Sequence, residues 1–86
     1  MKIRFHSDFE KQIRKLTPAQ REKLRQRLKL FLDDQFNQQL NNHALKGKYA
    51  GYRSINIGGD LRAIYKRIDD EIYFFVEIGT HSKLYS

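Results

Sequence analysis

Cysteine and tryptophan are absent from the 86-residue sequence, and proline occurs once. Without cysteine the chain has no disulfide framework, no thiolate nucleophile and no cysteine-type zinc site. Its stability must therefore come from packing of the apolar residues, which make up 40% of the sequence. At this size folding removes only about 60 to 65% of the exposable surface from water, so we expect residues 1–86 to form one small domain.

Long apolar runs are missing as well. None approaches the roughly 20 residues that span a bilayer, and the first residues, MKIRFHSDF, lack the apolar segment of a secretion signal. We therefore expect a soluble, cytoplasmic protein with no membrane partner. The sequence has no His-x-x-x-His pair and no acidic cluster with ligand spacing, so it predicts neither a metal site nor a cofactor.

Positive charge is present in excess, with 17 basic residues against 10 acidic ones and a formal charge of +7. Ten of the basic residues lie in residues 2–29, against three acidic residues in the same segment. A cationic surface attracts polyanions, of which nucleic acid is the commonest in the cytoplasm. The same positive charge is also consistent with binding of an acidic protein partner.

The N-terminal third has the patterns of one strand and two helices. Residues 1–5 alternate apolar and basic side chains, which predicts a short strand with one buried face. Ser7 and Glu10 have the spacing of a capping box at the start of a helix over residues 7–16.

A second helix is predicted to follow at once. Thr17 is a helix cap, Pro18 suits the first helical position, and Gln20 completes a capping box. The helix continues to about residue 33 with an apolar stripe formed by Leu24, Leu28, Phe31 and Leu32. The two helices should form an antiparallel hairpin.

The C-terminal half is typical of an antiparallel meander. Residues 49–57, 61–68 and 71–78 are rich in Tyr, Ile, Phe and Val, and the linking pairs Gly58-Gly59 and Asp69-Asp70 are hairpin signals. Alternate side chains of a strand lie on the same face of a sheet. The sequence therefore places on a common face Ile55 with Ile57, Leu61 with Ala63 and Tyr65, and Ile72 with Phe74, Val76 and Ile78. The predicted fold is α+β, with a short N-terminal strand and a helical hairpin packed on an antiparallel sheet.

Two segments around the meander are less regular. Residues 34–43 are rich in Asn and Gln and predict a connecting loop, with Phe36 and Leu40 as its apolar anchors. Residues 79–86 contain Leu84 and Tyr85, which suffice to dock the tail against the sheet or to form a short last strand.

Polar residues suited to catalysis or ligand binding are concentrated in the second half of the chain. Strand ends meet at one edge of a meander, so His43, Asp60 and the tail can converge there. The set comprises His43, Lys46, Lys48, Arg53, Asn56, Asp60, Arg62, His81 and Tyr85.

These residue types suit metal-free RNA cleavage. Such a reaction needs a base for the 2′-hydroxyl proton, an acid for the leaving 5′-oxygen, and a cation for charge developing at phosphorus. His43 and His81 fit the first two roles and Arg62 fits the third, because its planar fork pairs two phosphate oxygens. Tyr85 is suited to stacking on a base.

Plainer interpretations stand beside these. His6 is more simply a solvated or hydrogen-bonded side chain, Lys46 and Lys48 can solubilise a strand edge, and Asp60 can be a turn former. The basic face of the second helix can be merely solvated. The residues alone thus indicate a small basic α+β domain with features of RNA binding.

Four motifs give a more specific indication. The runs His43-Ala44-Leu45-Lys46-Gly47, Gly51-Tyr52-Arg53-Ser54, Gly59-Asp60-Leu61-Arg62-Ala63-Ile64-Tyr65 and Gly79-Thr80-His81-Ser82 follow one another in order. In order and spacing they resemble the RelE/ParE toxin superfamily, and most of all its YafQ-like branch. The resemblance covers nearly the whole chain, since the helical hairpin followed by a meander is also the architecture of the family.

The resemblance implies a toxin of a type II toxin–antitoxin pair that enters the ribosomal A site and cuts messenger RNA without metal. Its partners would be a cognate antitoxin, the ribosome and mRNA. His43, Asp60, His81 and Tyr85 fall on catalytic positions of YafQ-like toxins, where the last is a Phe. Arg62 falls on an arginine that RelE-like toxins use at the scissile phosphate.

The sequence departs from the YafQ-like pattern at Asn56, where the family has a further histidine. An amide can hydrogen-bond but does not exchange a proton near neutral pH, so proton transfer would fall to His43 and His81. Lys46 and Lys48 resemble the lysines of the RelE pattern. The predicted RNA-binding residues are Arg21, Arg25, Lys29, Lys46, Lys48, Arg53 and Asn56.

Two other functions remain open at this stage. ParE-like members of the same fold inhibit DNA gyrase without nuclease activity, although such an inhibitor has no use for two histidines, an acid and an aromatic tail at one edge. A plain RNA-binding module would have only Tyr49, Tyr52 and Tyr85 for stacking. We therefore favour the ribosome-dependent endoribonuclease.

Overall fold

A computed structural model describes residues 1–85 as an α+β fold with a five-stranded sheet. The strands are β1 (Lys2–Phe5), β2 (His43–Ala44), β3 (Arg53–Gly58), β4 (Leu61–Arg67) and β5 (Ile72–Thr80). The α-helices are α1 (Ser7–Arg14), α2 (Pro18–Asp33) and α3 (His81–Tyr85), and two short 3₁₀ helices span Gln38–Leu40 and Gly47–Tyr49.

The sheet has the order β1-β5-β4-β3-β2. Strands β2 to β5 pair antiparallel, which confirms the predicted meander, and β2 is an additional short strand that begins at His43, the last residue of the predicted loop. Strand β1 pairs parallel with β5, so the sheet is mixed rather than purely antiparallel. A parallel pair needs a long connection, which the helices and the meander together provide.

The helix starts differ from their prediction in one case. The capping box of α2 is present, with the Thr17 hydroxyl accepting from the Gln20 backbone N–H at 3.1 Å and the Gln20 side chain accepting from the Thr17 backbone N–H at 2.9 Å. The expected box at Ser7 and Glu10 is wrong, because the N-cap of α1 is His6. Its Nδ1 accepts from the Asp8 backbone N–H at 3.0 Å, so Ser7 is already the first helical residue.

Aromatic rings form the centre of the core between α2 and the sheet. Phe31 on α2 is fully buried, and its ring contacts Tyr65, Tyr73 and Phe75 with centroid separations of 5.0, 5.5 and 5.5 Å in edge-to-face geometry. Such pairs add roughly 0.5–1.5 kcal/mol each beyond burial. Leu32, predicted on the same stripe, is 46% exposed, since the stripe that faces the sheet is narrower than its apolar residues suggest.

A bulge in β5 changes which residues of that strand face the core. Ile64 pairs with Glu77 but Tyr65 pairs with Phe75, so Val76 is an extra residue on β5. A bulge of this kind reverses the alternation of side chains across it. The core positions are therefore Tyr73, Phe75 and Ile78, and the predicted grouping of Ile72, Phe74 and Val76 with Ile78 is wrong.

The segments around the meander are also more structured than the sequence suggested. Leu40 is fully buried as predicted, whereas Phe36 is 63% exposed and does not anchor the loop in the core. Residues 49–52 precede β3 as the end of a 3₁₀ helix and a turn, not as strand. In the tail, β5 runs to Thr80 and α3 follows directly, with Leu84 buried against Gly79.

No helix within residues 1–85 is long and apolar enough to cross a bilayer.

Candidate functional site

A cavity of about 220 Å³ lies on the face of the sheet that points away from α1 and α2. Ile55 and Ile57 of β3 face the core, so the alternating residues Ser54 and Asn56 face the opposite side. Arg62 of β4 pairs with Asn56 and shares that side. The cavity is lined by His43, Leu45, Lys46, Ser54, Arg62, His81 and Tyr85.

His43 is held by the backbone that precedes it. Asn41 adopts a left-handed conformation (φ 44°) at the end of the first 3₁₀ helix, and its carbonyl oxygen lies 2.8 Å from Nδ1 of His43. A carbonyl can only accept, so Nδ1 carries the proton when the ring is neutral and Nε2 has the free lone pair. This arrangement makes Nε2 the basic nitrogen of His43.

Arg62 is fixed through one of its two terminal nitrogens. Its Nη1 donates to Asn56 Oδ1 at 2.9 Å, to the carbonyl oxygen of Gly59 at 2.9 Å and to that of Leu61 at 3.3 Å. Among residues 1–85 no carboxylate lies within ion-pair distance of the guanidinium. The remaining N–H groups are therefore available to an anion in the cavity.

His81 reaches the cavity because α3 starts where β5 ends. The His81 backbone N–H donates to the carbonyl oxygen of Asp60 at 3.1 Å, which ties the start of α3 to the β3–β4 turn. The ring centroids of His81 and Tyr85 are 4.7 Å apart, and those of Tyr85 and Tyr49 are 6.0 Å apart. One aromatic wall thus borders the cavity.

The lining is positively charged. Lys46 and Arg62 contribute cations, the two histidines contribute ionisable rings, and none of the lining residues is acidic. Asp and Glu are absent from this lining although the described part of the chain contains ten of them. The cavity therefore suits an anionic ligand.

A second groove of about 360 Å³ lies on the same sheet face and shares the aromatic wall. Lys48 Nζ lies 5.3 Å from the ring centroid of Tyr49, and Lys66 Nζ lies 5.4 Å from that of Tyr52. The Tyr49 hydroxyl donates to Glu77 Oε2 at 2.7 Å. Burial, together with this hydrogen bond to a carboxylate, raises the pKa of Tyr49 to about 12.

Not every residue singled out in the sequence lies at the cavity. Asp60 is exposed in the β3–β4 turn, and its carboxylate is not part of the lining. Asn56 contacts the cavity through its bond to Arg62. Arg53 pairs with the buried Tyr65 and so lies on the helix side, where it donates to Asn42 Oδ1 at 2.8 Å and stands 5.4 Å from the Phe36 ring.

The basic residues of α2 lie on the other side of the sheet from the cavity. Arg21, Arg25 and Lys29 are all exposed. Arg25 donates to Glu22 through Nε at 2.9 Å and Nη2 at 2.6 Å, and this contact raises its pKa. The charge of Arg25 is therefore partly compensated within the helix, whereas Arg21 and Lys29 form no ion pair within residues 1–85.

Sequence reasoning missed two lining residues, Leu45 and Ser54. Ser54 is fully buried, and its hydroxyl has no hydrogen-bond partner among the described residues. Its position in β3, two residues before Asn56, was the available signal, since both must lie on one sheet face. Residues 1–85 contain no group of three His, Cys, Asp or Glu side chains arranged to hold an ion.

Comparison with known families gives one match over the whole chain. The protein-family model described as "Bacterial toxin of type II toxin-antitoxin system, YafQ" matches residues 1–86. A comparison with curated protein sequences gives no significant match.

Solved structures share the fold over nearly their full length. YafQ from Escherichia coli strain BL21(DE3) is 24% identical, with 99% of this chain and 98% of that chain covered and a TM-score of 0.78. The E. coli DinJ–YafQ complex gives 23% identity, coverage of 99% and 98%, and a TM-score of 0.76. An archaeal RelE–RelB complex from Pyrococcus horikoshii is 14% identical, with coverage of 95% and 96% and a TM-score of 0.74.

Proposed function

The chain belongs to the YafQ family of toxins of bacterial type II toxin–antitoxin systems, and from that membership we propose that it is a ribosome-dependent endoribonuclease that cuts mRNA in the A site. The observation that carries the proposal is the cavity, which combines two histidines, an arginine and a lysine with no carboxylate in the lining. These residues supply a base, an acid and cations for an anionic substrate.

In the proposed reaction His43 is the base. Its Nε2 has the free lone pair, because Nδ1 donates to the carbonyl oxygen of Asn41. Nε2 takes the proton of the ribose 2′-hydroxyl as the 2′-oxygen attacks phosphorus. A new bond forms between the 2′-oxygen and phosphorus, and the bond from phosphorus to the 5′-oxygen breaks. The products are a 2′,3′-cyclic phosphate and a free 5′-hydroxyl end.

His81 is the proposed acid, and it gives a proton to the departing 5′-oxygen. Asp60 supports it through the backbone, since its carbonyl oxygen accepts from the His81 N–H. A well-placed acid or base accelerates such a step by about 100- to 10,000-fold. Tyr85, 4.7 Å from the His81 ring, is positioned to stack against a base next to the cut.

Arg62 is the proposed stabiliser of the negative charge that grows on the phosphate oxygens in the transition state. Asn56 holds its Nη1, so the guanidinium is oriented before the substrate arrives and loses little freedom on binding it. This gives Asn56 a supporting task without proton transfer. Lys46 adds a second cation at the same cavity.

Substrate binding extends beyond the cavity in this proposal. Lys48 lies in the neighbouring groove on the same sheet face, where it can contact RNA next to the cut. Arg21, Arg25 and Lys29 on α2 would contact ribosomal RNA from the opposite side. Arg53 is the least suited of the predicted RNA contacts, because its guanidinium is engaged with Asn42. The proposed regulator is a cognate antitoxin, and the DinJ–YafQ complex supports this assignment.

A translation extract programmed with one defined message tests the proposal. Primer extension should show cuts that follow the reading frame and are absent when the same RNA is incubated with the protein without ribosomes. Cuts in free RNA at equal rate would contradict ribosome dependence. Absence of cuts in the extract, together with a halt of DNA replication in cells that express the chain, would instead support the gyrase-inhibiting alternative.

A further inference from the structure

Two hydroxyl groups in the cavity are buried without a hydrogen-bond partner among residues 1–85. They are Oγ of Ser54 and the phenolic oxygen of Tyr85. Leaving a buried hydroxyl unpaired costs free energy, and folded proteins rarely do so. Because Ser54 and Tyr85 both line one cavity, the simplest missing partner is a ligand that enters the cavity and toward which the hydroxyls turn.

Ser54 has a central place in the floor of the cavity. It is the register partner of His43 on β2 and of Ile64 on β4. Asn56, which holds Arg62, follows two residues later on the same face. The Ser54 hydroxyl therefore lies between the proposed base and the strand that carries the proposed charge stabiliser.

We propose that Ser54 is a substrate-binding residue whose hydroxyl donates a hydrogen bond to an oxygen of the phosphate that the cavity holds. The inference rests on the proposed function and names the group that Ser54 binds, the phosphate at the site of cleavage. Arg62 and Lys46, which line the same cavity, would supply further donors to that anion.

The chemistry of the lining favours a phosphate over an uncharged polar group. Arg62 and Lys46 bring positive charge, and no acidic residue of the lining competes for their N–H groups. A hydroxyl that donates to an anion forms a stronger hydrogen bond than one that donates to a neutral acceptor. Serine has three staggered χ1 rotamers, so its hydroxyl can turn toward the ligand without a backbone change.

Titration of the ¹⁵N-labelled protein with inorganic phosphate, at ionic strength held constant with sodium chloride, tests the inference. Phosphate should shift the amide signals around residues 43–46, 54, 62 and 81, and Ser54→Ala should weaken its affinity about tenfold, as expected for a hydrogen bond to a charged group. The matched control is Ser7→Ala, an exposed serine outside the cavity, which should leave the affinity unchanged.

A purely structural role for Ser54 gives a different result. If the hydroxyl has no partner in the free protein, Ser54→Ala should not lower the melting temperature. An unchanged phosphate affinity in Ser54→Ala would overturn the inference. So would loss of affinity together with a lower melting temperature, or an equal response to chloride alone, which would mean an adventitious ion only.

Two further ligands separate the possible sources of the anion. A trinucleotide RNA with 2′-O-methyl riboses cannot be cut, and its affinity should fall in Ser54→Ala as that of inorganic phosphate does. Adenosine, which has no phosphate, should not displace inorganic phosphate. A variant that binds the trinucleotide normally, or displacement of inorganic phosphate by adenosine, would overturn the inference.

The titrations need neither ribosomes nor cleavage. A protein that binds phosphate through Ser54 but cuts no message would contradict the proposed function alone. A ribosome-dependent nuclease whose Ser54→Ala variant binds phosphate normally would contradict this inference alone.

Discussion

Single residues of the same type have different tasks in this molecule because their neighbours differ. Arg62 and Arg53 lie on adjacent strands, but Arg53 bonds to Asn42 on the helix side of the sheet, whereas Arg62 is held by Asn56 at the cavity. His6 caps α1 through Nδ1, while Nδ1 of His43 contacts the carbonyl oxygen of Asn41. Hydrogen-bond partners, more than residue type, separate structural side chains from those available to a ligand.

The phenol of Tyr49 provides a test of these local environments. Burial is the largest cause of its raised pKa, and the hydrogen bond to Glu77 is the second. We expect absorbance titrations at 295 nm of the protein and of its Tyr49→Phe variant to differ by a tyrosine that ionises at about 12. Glu77→Gln should lower that pKa without restoring the ordinary value, because burial remains. Glu71→Gln, an exposed acidic residue on the same hairpin, is the control and should leave it unchanged.

The sign of the effect on stability follows from the direction of the shift. The folded-state pKa of Tyr49, about 12, lies above the value of roughly 10 for an unfolded tyrosine. The neutral phenol therefore stabilises the fold fully below pH 10, and this contribution is lost as the pH rises from about 10 to 12. Ionisation of all five tyrosines near pH 10 would contradict the assigned environment of Tyr49.

The candidate site was only partly accessible to prediction at the residue scale. His43, Arg62, His81 and Tyr85 were recognised from their types and their motifs, and the cavity contains all four. Ser54 was missed because burial and a missing hydrogen-bond partner are properties of the folded chain. The carboxylate of Asp60 was expected at the site, but it belongs to an exposed turn.

The secondary-structure elements differ in how strongly local sequence determines them. The start of α2 is encoded within four residues, and its capping box is present. The start of α1 offered Ser7 and Glu10, but His6 provides the cap because β1 ends directly before it and leaves its backbone extended. The bulge in β5 and the parallel pairing of β1 depend on contacts between distant segments, which local patterns do not contain.

The two helix starts give a matched pair of variants. Thr17→Ala removes a hydroxyl that accepts from the Gln20 N–H and should lower the free energy of unfolding by about 1 kcal/mol. Ser7→Ala removes no cap and should change it by less than about 0.5 kcal/mol. Urea denaturation measures both values. A larger loss in Ser7→Ala than in Thr17→Ala would mean that the cap of α1 has been misassigned.

The whole molecule presents two positively charged surfaces on opposite sides of one sheet. The cavity occupies one side, and the basic face of α2 occupies the other. We expect the triple variant Arg21→Glu, Arg25→Glu, Lys29→Glu to bind ribosomes more weakly and with a flatter salt dependence, since each lost phosphate contact removes about 0.7 to 0.9 units of log–log slope. Arg25→Glu alone should have the smallest effect, because Glu22 already pairs with Arg25.

The control for net charge reverses three exposed basic residues elsewhere, Lys2, Arg4 and Lys11. This variant has the same total charge and should retain a steeper salt dependence than the α2 variant. Equal slopes for the two variants, measured by ribosome sedimentation at several salt concentrations, would mean that α2 has no specific role.

The basic face of α2 should also attract the antitoxin. An acidic segment that becomes ordered on binding would cover basic residues, so we expect a tight complex that weakens with salt. Coexpression of the chain with the product of the neighbouring reading frame should yield a complex that co-purifies and relieve growth arrest. A product that neither co-purifies nor relieves growth arrest would contradict the expectation that it is the antitoxin of this chain.

The most direct test of the central claim, that the cavity cuts mRNA on the ribosome, is primer extension in a programmed translation extract with variants of Arg62 and His81. Arg62→Ala and His81→Ala should each reduce cuts in phase with the codons by at least ~100-fold while circular dichroism stays unchanged. The control is Arg67→Ala, since Arg67 lies on β4 like Arg62 but outside the cavity. This variant should cut at the rate of the starting protein. Undiminished cutting by folded Arg62→Ala and His81→Ala would contradict the account.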